Sequence, residues 1–147
     1  MFRIPFNRPY LTGNEIKNIA DAHERNQLSG DGHYTKLCNE WLEKNLNTKK
    51  ALITHSCTAA LELSAIAIDI SPGDEVIMPS YTFVSTANAF VIRGAKPVFV
   101  DVNLDDLTID VSKIEPAITN KTKAIVVVHY AGISAKMDEI LEIAKKY

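Results

Sequence analysis

From residue 51 onward, short solid runs of apolar residues alternate with longer stretches of helical period. The runs are Ala51-Leu52-Ile53-Thr54, Val76-Ile77-Met78, Pro97-Val98-Phe99-Val100 and Ile125-Val126-Val127-Val128. Each is bounded by polar or turn-forming residues, which predicts strands at 51–54, 75–78, 97–102 and 123–129, covered on both faces. Residues 59–70, mostly alanines and branched aliphatics, read as a helix apolar nearly all round and therefore buried. Pro79 stops the second strand, because it has no N–H for a ladder. Small hydroxylated residues then start a helix carrying Ala89, Phe90, Val91 and Ile92, ended by Gly94. Residues 107–109 read as a short extended piece. Ser112 and Glu115 read as the capping box of a short helix. Met137, Ile140, Leu141 and Ala144 mark a last helix running to Tyr147. Strands alternating with helices predict an α/β fold: a mostly parallel sheet in a partial three-layer αβα arrangement.

Residues 1–47 follow another pattern. Pro5 and Pro9 break any regular element, which leaves an extended arm whose Phe2, Ile4, Phe6 and Tyr10 need cover. Thr12 and Glu15 fit a capping box, and Ile16, Ile19, Ala20 and His23 recur at helical spacing. Ser29-Gly30-Asp31-Gly32 forces a loop. Leu37, Trp41, Leu42 and Leu46 mark one face of a second helix. The expected division is therefore an arm with two helices over 1–47 and the sheet domain over 48–147.

Composition narrows the function. The chain has 147 residues, 46% of them hydrophobic and 23% charged, which is ordinary for one globular domain. A net charge of −2 offers nothing to nucleic acid or to an anionic membrane surface. No apolar run approaches the roughly 20 residues that span a bilayer. Cys38 and Cys57 lack paired spacing and read as free thiols of a reducing compartment. The N-terminus lacks the apolar core of a signal peptide, so a cytoplasmic location is expected.

Two junctions carry candidate chemistry. Thr54-His55-Ser56-Cys57-Thr58-Ala59 joins a strand to a helix N-terminus, where unpaired N–H groups and the dipole suit a phosphate. Ser56 and Thr58 add hydroxyls, and Ala59 lets a ligand approach the backbone. Plain capping by Ser56 or Thr58 explains the same residues. Neither a Walker loop nor the G-x-G-x-x-G fingerprint is present. Phe83 stands in the polar loop Ser80-Tyr81-Thr82-Phe83, free either to pack beneath it or to stack on a flat ligand. His129 follows a buried strand at the carboxyl end, the edge where open α/β sheets gather ligands; His55 is placed similarly. None of the four histidines has metal-ligand spacing to another or to a cysteine, so no metal site is expected.

The order of several motifs resembles a family. Ser56-Cys57-Thr58-Ala59-Ala60-Leu61, Pro72-Gly73-Asp74-Glu75-Val76-Ile77-Met78-Pro79, Thr82-Phe83-Val84-Ser85-Thr86, Gly94-Ala95-Lys96-Pro97-Val98-Phe99-Val100-Asp101-Val102 and Val128-His129-Tyr130-Ala131-Gly132 fall in sequence. Together they resemble the DegT/DnrJ/StrS sugar-nucleotide aminotransferases, most of all those making dTDP-4-amino-4,6-dideoxygalactose. The resemblance implies fold type I of the pyridoxal-phosphate enzymes, a homodimer, and transamination of a nucleotide-linked 4-keto-6-deoxy sugar for surface polysaccharide, with glutamate as amino donor. It implies cofactor contacts from Ser56, Cys57, Thr58 and Ala59, with Phe83 stacked on the pyridine ring. It places Ser29, Gly30, Tyr10 and His129 near the sugar nucleotide.

The resemblance also implies what these residues lack. The family's cofactor-bonding lysine and its aspartate for the pyridine nitrogen lie beyond the matched motifs. The chain is therefore expected to be an N-terminal portion, inactive alone, with no catalytic residue of its own and an open sheet edge. A non-catalytic phosphate- or nucleotide-binding module is the competing reading, and an unrelated flavodoxin-like domain fails for want of the right first loop.

Overall fold

The computed structural model describes residues 4, 5 and 7–147; the expectations for Phe2 and Phe6 lie outside the described residues. The chain divides into two compact units, Met1–Ile53 and Thr54–Tyr147.

The first unit contains α1 (Glu15–Glu24) and α2 (His33–Asn45). Glu15 reaches back to accept from the Thr12 N–H at 2.6 Å, the Thr12 hydroxyl at 2.9 Å and the Gly13 N–H at 2.9 Å. Only this half of the expected capping box forms. Asn14, not Thr12, is the N-cap residue, and no side chain caps the helix. On α2 the expected apolar face is exposed at Leu37 and Trp41, and Leu46, just past the helix, is exposed too. The buried residue of α2 is Asn39, whose Oδ1 accepts from the Ile53 N–H at 2.9 Å.

The predicted strand at 51–54 does not form. Its backbone is met by side chains instead: Asn39 at Ile53, and Glu43 at the Ala51 N–H, 3.1 Å. A strand exists only with a neighbour, and among the described residues none pairs with this one.

The second unit is built on β1 (Glu75–Pro79), β2 (Lys96–Val100) and β3 (Thr122–Ile125), all parallel, in the order β2-β1-β3. The central strand is buried at all five positions. Its side chains alternate between faces. Val76 and Met78 pack with Ala65, Ala89 and Phe90, beneath α3 (Cys57–Ala67) and α4 (Val84–Val91). Ile77 packs on the other face with Ile114 of α5 (Ile114–Ala117) and Ile140 of α6 (Met137–Lys146). Each such aliphatic side chain contributes about 1.5–3 kcal/mol by leaving water. These are the expected three layers.

Several boundaries differ from expectation. Pro79 is the last residue of β1, opposite Val100, and the next N–H, that of Ser80, reaches the Val100 carbonyl at 2.8 Å. β3 is shorter than the apolar run. The Val126 N–H still bonds Ile77 at 2.8 Å, then the chain leaves the ladder. The extended piece near residue 109 is one antiparallel bridge, Val102 to Ile109. α3 is not buried all round: Ala65 is its only buried residue, and Leu63 and Ile66 are exposed. Its apolar surface is covered only where α4 and β1 lie against it. The short helix near 112 is capped by Asp110, which accepts from the Ser112 N–H at 3.0 Å, while Glu115 accepts from Tyr147 Oη at 2.8 Å. A carboxylate two residues upstream outcompetes the serine hydroxyl as acceptor. α4 ends at Val91, three residues before the expected Gly94; Gly94 lies in the turn that follows with φ +90°, and a Cβ there would lie 2.9 Å from Pro72 Cα.

Candidate functional site

The carboxyl end of β1 opens into residues 80–83 and then α4; beyond β3 the chain reaches His129. These loops and the start of α3 hold six of the nine candidate residues.

At the start of α3, Ser56 is the N-cap, and its Oγ accepts from the Ala59 N–H at 3.1 Å. This corrects one expectation: the Ala59 N–H is not free for a ligand but engaged by Ser56. Among the described residues, no acceptor meets the N–H groups of Cys57 and Thr58. Cys57 is a free, exposed thiol. The Thr58 hydroxyl turns to Ser85, donating to its Oγ at 3.1 Å. Thr58 stands one residue into α3 and Ser85 one residue into α4. The two helix N-termini therefore converge.

Phe83 is the N-cap residue of α4, in extended backbone with φ −72° and ψ 146°. Its carbonyl accepts from the Thr86 N–H at 3.0 Å, and the residue is 74% exposed. The reading that Phe83 packs beneath its loop is thereby excluded. The loop around it is tied down by Thr82 Oγ1 to Thr86 Oγ1 at 2.8 Å.

His129 is exposed, and its Nδ1 accepts from the Ala135 N–H at 3.1 Å. That bond assigns the neutral ring's proton to Nε2. The next residue, Tyr130, donates its hydroxyl to Tyr81 Oη at 2.9 Å, with ring centroids 4.9 Å apart. The bond to Tyr81, helped by burial, holds the Tyr130 phenol above its ordinary pKa, so it stays protonated at neutral pH.

Tyr10, Ser29 and Gly30 belong to the first unit. Tyr10 is 89% exposed in the arm. Ser29 and Gly30 are exposed in the loop before α2, where Ser29 borders a small cleft with Arg25, His33 and Tyr34. Tyr34 donates to Asp21 at 3.1 Å beside the Arg25–Asp21 ion pair at 2.6 Å.

Ser85, Tyr81 and Tyr130 received no role from the sequence. The available signal was modest: hydroxyl-bearing residues just past the carboxyl ends of two strands. Only the order β2-β1-β3 makes those strands neighbours.

The sequence profile of the DegT/DnrJ/EryC1/StrS aminotransferase family matches residues 9–147. The chain belongs to this family. Among curated relatives, it is 40% identical over 144 residues to the UDP-4-amino-4-deoxy-L-arabinose–oxoglutarate aminotransferase of Shewanella sediminis, covering 98% of this chain and 37% of the relative. Among solved structures it superimposes on the putative sugar aminotransferase Spr1654 of Streptococcus pneumoniae with a TM-score of 0.88 and 36% identity, over 99% of this chain and 37% of that one. Spr1654 has been solved in PLP, PMP and apo forms. A GDP-4-keto-6-deoxymannose-3-dehydratase with a trapped PLP-glutamate geminal diamine matches with a TM-score of 0.89 at 26% identity, over 99% of this chain and 39% of that one. The chain thus spans about 37% of the length of the curated relatives it matches. DegT-family neighbours of this kind have fold type I, and the sheet with helices on both faces is a portion of that architecture. No helix among the described residues is long and apolar enough to cross a membrane.

Proposed function

We propose that these residues form the phosphate- and ring-binding part of a pyridoxal-phosphate enzyme acting on a nucleotide-linked 4-keto-6-deoxy sugar, with glutamate as amino donor. The single observation that carries this is the Thr58–Ser85 bond, which brings two positively polarised helix N-termini to one place.

The chemistry of the donors fits a phosphate. The N–H groups of Cys57 and Thr58 and the hydroxyls of Ser56, Thr58 and Ser85 are gathered there, and residues 54–59 and 80–88 contain no carboxylate. A phosphate dianion offsets the repulsion between two like helix ends. Ser56 keeps the Ala59 N–H, so Ala59 contributes its small side chain rather than a donor. Phe83, exposed and two residues before Ser85 in sequence, covers one face of the ring.

When bound, pyridoxal phosphate supplies an electron sink for the carbon that carries the amino group. The residues of this chain bind and orient. Thr58 and its neighbours fix the phosphate, Phe83 excludes water from one ring face, and His129 presents Nε2–H as a donor. We assign His129 to the sugar nucleotide, without a catalytic step.

The whole protein is read as a cytoplasmic homodimer serving surface-polysaccharide synthesis, with the nucleotide either dTDP, as the motifs imply, or UDP, as in the Shewanella relative. The dehydratase neighbour favours a second reading, removal of a hydroxyl from the same class of keto sugar. Binding residues alone do not separate the two reactions.

Equilibrium dialysis of pyridoxal phosphate against a polypeptide of these 147 residues tests the binding claim. Saturable binding weakened about tenfold by Thr58→Ala, as loss of one charge-assisted hydrogen bond requires, is expected. Absence of binding would leave the competing module reading, which inorganic phosphate or a sugar nucleotide then probes.

A further inference from the structure

Phe83 is largely exposed, yet the reading above needs its ring at a fixed place. Its position must come from the backbone on either side. On the helix side, Thr82 Oγ1 meets Thr86 Oγ1, and Ser85 accepts from Thr58. On the strand side, the Ser80 N–H is held by Val100, which leaves Tyr81 as the one residue between sheet and turn. Tyr81 is itself held, because its hydroxyl meets that of Tyr130, 49 residues away on the loop following β3. The two rings lie 4.9 Å apart at 42°, so their faces add contact to the hydroxyl bond.

We propose that Tyr81 and Tyr130 are positioning residues, a hydroxyl clasp that holds the loop after β1 so that Phe83 is presented to the cofactor ring. This rests on the stacking role given to Phe83 above. The clasp links the exits of two adjacent parallel strands, and it acts on the cofactor only through Phe83. Phenylalanine at either position keeps the ring and removes the bond, so Tyr81→Phe, Tyr130→Phe and the double variant isolate the hydroxyl pair without disturbing the core.

Two measurements on the 147-residue chain test it. The first is amide hydrogen exchange at Thr86, whose N–H is held by the Phe83 carbonyl, with the Ser80 amide on the sheet side as internal reference. The second is the dissociation constant for pyridoxal phosphate, with Phe83→Ala run in parallel. Each single variant is expected to speed Thr86 exchange about five- to tenfold, the loss of one net hydrogen bond, with Ser80 unchanged. The double variant should do no more than either single one, because both remove the same bond. Cofactor binding should weaken severalfold in all three. Unchanged Thr86 exchange overturns the clasp. Faster exchange with unchanged cofactor binding, while Phe83→Ala weakens it, overturns the positioning role. A Phe83→Ala variant that binds as the wild type does sinks the stacking reading instead, and with it the positioning role.

Discussion

The Thr58 hydroxyl donates to Ser85 across 3.1 Å and joins the first turns of two helices that lie 27 residues apart in sequence. Helix N-termini carry partial positive charge, so bringing two together is unfavourable unless something negative is shared between them. The bond is thus both a packing contact and a marker of where an anion belongs.

If so, inorganic phosphate should raise the urea midpoint of the chain in a saturable way, because a ligand bound only by the folded state stabilises it. Thr58→Ala and Ser85→Ala should each abolish most of that gain, and each should cost about 0.5–1.5 kcal/mol without phosphate. Stabilisation that persists in both variants would locate the anion elsewhere.

Phe83→Ala is expected to separate binding from folding. A residue 74% exposed contributes little to the core, so stability should change by less than about 0.5 kcal/mol. Cofactor affinity should fall about five- to tenfold, as for loss of an aromatic stacking contact. A large stability loss would mean that the ring packs in solution.

How far this site could be read from the sequence depends on the span of each contact. The cap by Ser56 and the loop position of Phe83 are local and were legible, while the choice between packing and exposure of its ring was not. The three paired strands were legible because solid apolar runs announce them. Residues 51–54 have the same pattern but no neighbour, and strand formation is decided by the neighbour. Asp110 displaced Ser112 as a cap, a competition between two nearby side chains that spacing alone does not resolve. Tyr81–Tyr130 and Thr58–Ser85 depend on which strands and helices are adjacent, which no local pattern states.

Gly94→Ala should destabilise sharply. The residue has φ +90°, and the added Cβ would meet Pro72 Cα at 2.9 Å, backbone that cannot move aside cheaply. The cost is expected to exceed about 1 kcal/mol, against a gain of similar size where alanine fits. Urea unfolding measures it.

Glu75 ties the amino end of the sheet together. Its side chain is nearly buried and accepts from Thr119 Oγ1 at 2.6 Å, with Lys96 Nζ at 3.5 Å. The Thr119 bond first, and the charge of Lys96 after it, hold its pKa below the ordinary value despite desolvation. A pKa depressed in the folded state contributes stability above the unfolded value, about 4.3, and loses it as pH falls through the folded one. Stability of the wild type should therefore drop more steeply below pH of about 4.3 than that of Glu75→Gln. Parallel curves would remove Glu75 from the acid response.

The outer edge of β3 supplies the last expectation. β3 pairs with β1 on one side, and among the described residues no strand pairs with it on the other. Beside that edge, Ala124, Ile125, Val127, Ile140 and Leu141 line an open groove of about 680 Å³. Unpaired N–H and C=O groups next to apolar surface template further pairing, so a polypeptide of these 147 residues should self-associate through this edge. Lysine is a natural edge protector, and Lys123 already stands there, exposed, at the register shift between Glu75 and Val76. A second charge, Leu141→Lys, places a lysine in the groove beside that edge at an exposed position. Light scattering should show slower, weaker association in that variant than in the wild type, while Val91→Lys on exposed α4 surface should change nothing. Equal association in all three would mean that the β3 edge is protected in solution, and that the growth surface lies elsewhere.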